Sequence, residues 1–225
     1  MNKYKHIIIL FIVYVSIGIK GFSQVNDAGM WISLNLEKKV LPGFSLHLSD
    51  ELRLNENISE AGTHFTEFGG EYRFTRNISG GAYYRFIQKR RVDDSYSKRH
   101  RYYVELNYRQ KIGKVNIALR ERFQSQYNDI FSREKGKIPE DYLRSRLAVK
   151  TKIYKATQAF INGEVYYQLS NSQGNELDQL RFSAGLEYNL KRYGGLEAFY
   201  MINKEIHVND PLTEYIIGLG YSYSF

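Results

Sequence analysis

The 225-residue chain contains no cysteine, one tryptophan and, beyond the amino-terminal segment, no run of 18 consecutive apolar residues. Without cysteine there is no disulfide, no thiolate metal site and no thiol to carry a lipid anchor. Without a long apolar run no later segment crosses a bilayer as a helix, which needs about 20 such residues. An excess of one charge sign is also missing. Removal of Lys3, Lys5 and Lys20 with the leader discussed next takes the 32 basic residues to 29 against 24 acidic ones, a net charge of +5, too mild to point to nucleic acid.

The leader is MNKYKHIIILFIVYVSIGIKGFSQ: Lys3 and Lys5, an apolar run of 13 residues from Ile7 to Ile19, then Gly21 and Ser23. This is the layout of a secretory signal peptide, with cleavage expected after Ser23. Residues 1–23 are therefore expected to be the signal peptide, and 24–225 a single all-β domain.

What fills the remainder is a period of two. Leu180, Phe182, Ala184, Leu186, Tyr188 and Leu190 alternate without a break with Arg181, Ser183, Gly185, Glu187, Asn189 and Lys191. A helix would scatter these two sets around its circumference, whereas a strand sends them to opposite faces. His100, Tyr102, Val104, Leu106 and Tyr108 alternate in the same way with Arg99, Arg101, Tyr103, Glu105, Asn107 and Arg109. Some eleven such segments fall near 29–37, 43–55, 62–75, 77–90, 98–112, 114–128, 140–153, 156–170, 177–191, 194–208 and 212–225. Most are longer than the five or six residues usual in soluble strands and reach the roughly nine to eleven that a tilted strand needs within hydrocarbon. Tight turns at 75–77, 111–114, 153–155 and 191–194 alternate with longer polar stretches such as NENISEAG, RVDDSYSK and NDIFSREKGKIPED, as consecutive hairpins through an outer membrane would give. The pattern predicts an antiparallel, up-and-down transmembrane β-barrel of ten to twelve strands, exported to the outer membrane and expected to be a monomer in the bilayer. The Trp31 segment is an eleventh strand, a half strand or a piece folded into the lumen.

Energy decides which face meets lipid. Arg or Lys on the lipid face costs about 2–4 kcal/mol at the midplane, so the charged parity points inward. Arg101, Glu105, Arg109, Arg120, Arg122, Arg144, Arg146, Lys150, Arg181, Glu187 and Glu197 are then a charge network in the lumen, with basic residues on the central strands facing acidic ones on the others. That basic wall suggests anion conduction through a narrow lumen. Asp50 and Glu121 break the parity, and a bulge or a place above the membrane would absorb them. The chain closes on EYIIGLGYSYSF, where Tyr215, Ile217, Leu219, Tyr221, Tyr223 and Phe225 share the lipid-facing parity.

The Ser23-Gln24 junction, the stretch NDAGMWISLNLEKKVLPGFSLHLSDELRL at 26–54 and the ending GYSYSF resemble an outer-membrane family of Gram-negative bacteria catalogued as domain of unknown function 2490. The positions that carry it are Asp27, Trp31, Gly43, Glu51 and Arg53. The resemblance implies an outer-membrane barrel and supplies no catalytic residue. The aromatic ending, Tyr221, Tyr223 and Phe225, likewise resembles the signal by which barrel-assembly machinery recognises its clients.

Catalysis has little to build on. His47, Ser49 and Glu51 share the inward parity and form the best acid–base constellation available, and a lumen hydrogen-bond network explains them equally well. His64 and His100 fall on the lipid-facing parity, and His207 abuts the last loop. Asp93-Asp94 and the group Asn171, Asn175, Glu176 and Asp178 lack the fixed spacing of a calcium loop. No metal or cofactor is expected. A non-enzymatic barrel with a structural, binding or narrow-channel role leads, against a lipid-acting barrel enzyme or a secreted soluble lipocalin-like binder.

Overall fold

A computed structural model describes residues 25–128, 140–169, 176–207 and 211–225. The expected signal peptide and most of NDIFSREKGKIPED lie outside the described residues, as do Asn171 and Asn175. Eleven strands follow in order: β1 (Val25–Leu41), β2 (Phe44–Asn55), β3 (Glu60–Arg73), β4 (Ile78–Arg90), β5 (Tyr96–Ile112), β6 (Val115–Asn128), β7 (Glu140–Lys152), β8 (Thr157–Gln168), β9 (Glu176–Asn189), β10 (Gly195–Glu205) and β11 (Leu212–Ser224). Each pairs with its neighbours in sequence, and β1 meets β11, so the sheet is a closed barrel. Closure leaves no strand edge, the condition for a sheet surrounded by hydrocarbon.

The Trp31 segment is a full strand of 17 residues rather than a half strand or a lumen plug. With eleven strands the first and last run the same way. The seam β1–β11 is therefore parallel, from Val25 opposite Leu212 to Glu37 opposite Ser224, while the other ten pairs are antiparallel as expected. The final residue completes it. The Phe225 N–H donates to the Glu37 carbonyl at 2.9 Å, and the Lys39 N–H donates to the Phe225 carbonyl at 3.1 Å.

Outward positions are apolar and open, among them Val104 at 54% and Phe182 at 59% exposure, while inward Phe65 and Tyr103 retain 3% and 4%. This belt of leucine, isoleucine, valine and aromatic side chains is what a lipid-facing surface requires. One aromatic ring of the girdle includes Tyr72 against Phe74 and Tyr223 against Phe225, at 5.4 and 5.8 Å between centroids. A second, nearer the opposite rim, contains Tyr84 against Tyr102 at 5.1 Å.

The first loop-end connection is shorter than the alternation of turns and loops suggests. At the turn end Gly43 takes φ +82°, a left-handed conformation that a side chain disfavours, so β1 reverses into β2 in two residues. At the loop end NENISEAG shrinks to 56–59, because β2 and β3 extend into it. Glu56, Asn57 and Ile58 all have positive φ there. Asp27 makes this possible: its carboxylate accepts the N–H groups of Glu56 and Asn57 at 3.0 and 2.8 Å.

Strand tilt places residues far apart in sequence at related depths. One hydrogen-bonded row runs from Thr157 at the turn end of β8 through Tyr221 and Leu34 to Asp50 on the sixth of ten strands, then through Thr66 and Phe86 to Tyr127 at the loop end of β6. A second row climbs from Phe44 at the turn end of β2 to Thr213 on β11, with Glu121 on the fifth of ten strands. Both outward acids thus lie near half height, on stretches without a bulge. The rim or bulge position expected for them is corrected: cross-strand hydrogen bonds hold them instead.

Because the strand count is odd, the backbone enters β1 at the loop end and leaves β11 at the turn end. An epitope ahead of Val25 is expected on the same face as the 91–95 connection, and one after Phe225 on the other. Antibody labelling of intact against permeabilised cells distinguishes the two faces, and a shared face would contradict the closure.

Candidate functional site

All the lumen residues expected from parity point inward, but not as two opposed walls. Arg85, Arg120, Arg122, Arg144 and Lys150 each find a carboxylate on their own side of the barrel, one or two strands away, because nearby strands lie close enough for direct pairing. Arg122 donates through Nη2 to Glu105 at 2.6 Å, and Arg85 through Nε to Glu67 at 2.6 Å. Glu164 accepts from Arg120 at 2.5 Å and from Arg144 at 2.8 Å, and Lys150 pairs with Glu187. Arg101 donates to Gln126 at 2.6 Å, and Arg181 to Asn203 at 2.9 Å. Arg146 stands opposite Arg120 in register and Glu197 opposite Glu187. Arg109, near the turn-end rim, is 3.7 Å from Glu71.

Aromatic rings complete the layer. The guanidinium carbon of Arg122 lies 3.7 Å from the Tyr103 centroid, that of Arg85 3.7 Å from Phe65, and that of Arg53 3.7 Å from Trp31. Arg144 and Arg181 flank Tyr166 at 4.2 and 4.7 Å. A ring face attracts a cation and excludes water, so the pairs are desolvated as well as matched. Arg122 and Arg144 keep only 7% and 5% of their surface. From half height toward the loop end large side chains project into the lumen, and Arg120, Arg122 and Arg144 of the basic wall are paired with carboxylates.

The turn-end half is different. Below the buried Ile216, the inward positions of β11 are Gly218, Gly220, Ser222 and Ser224, and those of β1 and β2 include Ser33, Asn35, Ser45 and Ser49. These small side chains leave a cup of about 630 Å³, with Glu37, Glu187 and Glu197 in its wall. A second hollow of about 460 Å³ shares Glu37 and His47 with it. Gly218 is needed for packing: a Cβ there would lie 2.0 Å from the Phe199 ring.

The acid–base constellation is not assembled. Ser49 donates to Asn35 at 2.7 Å, Glu51 receives Arg53 at 2.6 Å, and Nε2 of His47 has no partner. Shared parity brings side chains to one face without fixing which of them touch: the long Arg53 reaches Glu51, whereas the short Ser49 turns to Asn35 on β1. His64 and His100 face outward as expected. His64 bonds Asp50 at 3.0 Å, and His100 bonds the Tyr84 hydroxyl at 2.7 Å. His207 bonds the Leu177 carbonyl at 2.8 Å. Among the described residues no three His, Cys, Asp or Glu side chains cluster as metal ligands.

Sequence reading missed the aromatic half of the layer. Its signal was present: Tyr103 sits on the same parity as Arg101 and Glu105, and an aromatic ring among inward charges is a candidate cation partner. Three of the five family positions converge. Trp31, Glu51 and Arg53 form one interior contact set, while Asp27 and Gly43 shape the two rims.

Glu164 neutralises two buried arginines. Removing one partner from a buried ion pair costs about 3–5 kcal/mol, so Glu164→Ala is expected to lower the barrel's stability by that order, measured by urea unfolding from detergent micelles. Glu71→Ala, whose partner Arg109 is exposed, is expected to cost far less.

A search of curated proteins finds no match to this chain. Among solved structures it is similar to the KdgM porin in complex with disordered oligogalacturonate, with 11% identity, a TM-score of 0.45 and coverage of 77% of this chain and 82% of that one. It is also similar to the β domain of the Bordetella autotransporter BrkA, with 10% identity, a TM-score of 0.44 and coverage of 79% and 82%. The translocator domain of the autotransporter NalP from Neisseria meningitidis shows 12% identity, a TM-score of 0.37 and coverage of 73% and 70%. Residues 28–210 match the family described as "Protein of unknown function (DUF2490)", a span that includes Trp31, Gly43, Glu51 and Arg53 together with β2 to β10, and the chain belongs to that family.

Proposed function

We propose that this protein is a non-enzymatic barrel of the outer membrane that holds a small polar solute in its turn-end cup and does not act as an open pore. The observation that carries this reading is the burial of Arg120, Arg122 and Arg144 within the packed arginine–aromatic layer. Anion selectivity by rings of Arg or Lys requires cations that face water. Here the three guanidiniums are bonded to carboxylates, and Arg122 and Arg144 also lie against tyrosine rings, which argues against conduction along the basic wall. On linear scaling a barrel of eleven strands is about 1.4 times as wide as the eight-stranded kind that side chains fill, so closing it takes a layer of large residues such as arginine and tyrosine. With short turns on the periplasmic side, as in outer-membrane barrels generally, the cup opens to the periplasm. Its volume of about 630 Å³ suits a small organic molecule, and its lining offers hydroxyl, amide and carboxylate groups together with His47, Lys191 and Arg192.

Folded wild-type protein in planar bilayers is expected to give no resolved single-channel steps. Replacing Arg122 and Arg144 together by alanine is expected to produce them. Steady wild-type conductance would overturn the reading.

We further infer that residues 1–23 are removed on export and that Phe225, with Tyr221 and Tyr223, serves as the assembly signal. Two backbone hydrogen bonds of the seam depend on Phe225, and the Lys38 ammonium lies 4.9 Å from its ring centroid, so the same residue also fastens β1. Deletion of Phe225 is expected to reduce folded barrel in the membrane, read as the fraction with heat-modifiable gel mobility. An unchanged fraction would count against both roles.

A further inference from the structure

The turn-end rim has a composition that neither the charge layer nor the cup explains. Its five connections read KKVLPG (38–43), RFTRN (73–77), KIGK (111–114), KIYK (152–155) and KRYG (191–194), with two cations and no acid in each. All of these cations are exposed, and none of them has a carboxylate partner among the described residues. Six of them, Lys38, Arg76, Lys111, Lys114, Lys152 and Lys155, border neither the cup nor the second hollow, so a solute held there does not account for them. The opposite rim lacks the pattern. Its described connections 56–59 and 91–95 hold three acids, Glu56, Asp93 and Asp94, against the one base Arg91.

A second feature repeats with the charge and narrows the partner. Every one of the five turns sets a large apolar side chain beside its cations: Leu41, Phe74, Ile112, Ile153 and Tyr193 are each at least 57% exposed. A soluble polyanion needs the cations alone, and these apolar groups would then face water without return. The surface of a bilayer takes both, since apolar side chains enter the acyl boundary while Lys and Arg stay level with the phosphates. Contacts with the aromatic girdle fix that depth. The Lys38 ammonium lies 4.9 Å from the Phe225 ring centroid, and the guanidinium carbon of Arg192 lies 4.7 Å from that of Tyr193, so these charges sit at the interfacial belt where such rings reside. Because the barrel is closed, the five turns are spread round its whole circumference. We propose that the turn-end rim is a collar that binds anionic phospholipid headgroups and holds a shell of them round the barrel. With the turns on the periplasmic side, the collar acts on the periplasmic leaflet. It does not depend on what the cup holds or on whether the lumen conducts.

The test uses the folded barrel in phosphatidylcholine vesicles that carry a trace of spin-labelled lipid, and reads the motionally restricted fraction of the label. At low salt the wild type is expected to favour spin-labelled phosphatidylglycerol over spin-labelled phosphatidylcholine by about threefold or more. High salt is expected to bring the ratio close to one, because exposed charges are screened. Glutamine at Lys38, Arg76, Lys111, Lys114, Lys152 and Lys155 together is expected to do the same at low salt. Arg91→Gln with Lys98→Gln at the opposite rim is expected to leave the preference in place, as is inorganic polyphosphate added at matched ionic strength. Heat-modifiable mobility in each variant separates a lost collar from a lost fold, and the salt response of the wild type tests the charge dependence without any substitution. Equal restriction of the two lipids at low salt, a preference that survives the six replacements, an equal fall in the loop-end variant, or displacement by polyphosphate would overturn the proposal.

Discussion

Everything in this protein depends on closing the sheet without leaving a backbone hydrogen-bonding group in hydrocarbon. An unpaired N–H or C=O there costs several kcal/mol, so an edge strand is not tolerated. Eleven strands can satisfy the condition only if the first and last run in parallel. β1 and β11 do so over a long register, which Phe225 finishes. The parallel seam sets the two ends of the described barrel on opposite rims, fixes strand tilt and thereby decides which residues share a depth.

Within that frame the lumen divides into two regions for one reason, side-chain volume. The inward positions of β4 to β8 carry arginine, glutamine, tyrosine and phenylalanine; Arg120, Arg122 and Arg144 are paired there with carboxylates, and Arg122 and Arg144 also meet tyrosine rings. Near the seam the inward positions of β1, β2 and β11 are largely glycine, serine and asparagine toward the turn end, and a cup remains. A buried ion pair contributes little stability by itself, since desolvation opposes the attraction. Its effect here is geometric: paired and stacked guanidiniums occupy fixed places in the upper lumen.

The outer surface obeys the opposite rule with two departures. Both outward acids lie near the middle of the apolar belt, both are held by hydrogen bonds from an adjacent strand, and one has a base beside it. Lipid-facing acids are less costly than lipid-facing Arg or Lys, which makes them tolerable.

The sequence by itself determined the strands, their approximate limits and the face of nearly every side chain. A strand has a period of two, and twelve unbroken alternations such as Leu180 to Lys191 admit one reading. It determined equally that the charges lie inside, because their cost in lipid exceeds any local preference. Only the tertiary structure decided who meets whom. Partners on a barrel wall depend on register and tilt, which no single strand encodes, so the pairing of Glu164 with two arginines, the stacking of Arg53 on Trp31 and the separation of His47 from Ser49 and Glu51 were not legible. The same is true of the seam: alternation specifies strands, while their number and the direction of the closing pair emerge when the sheet curves round and the last edge must find the first.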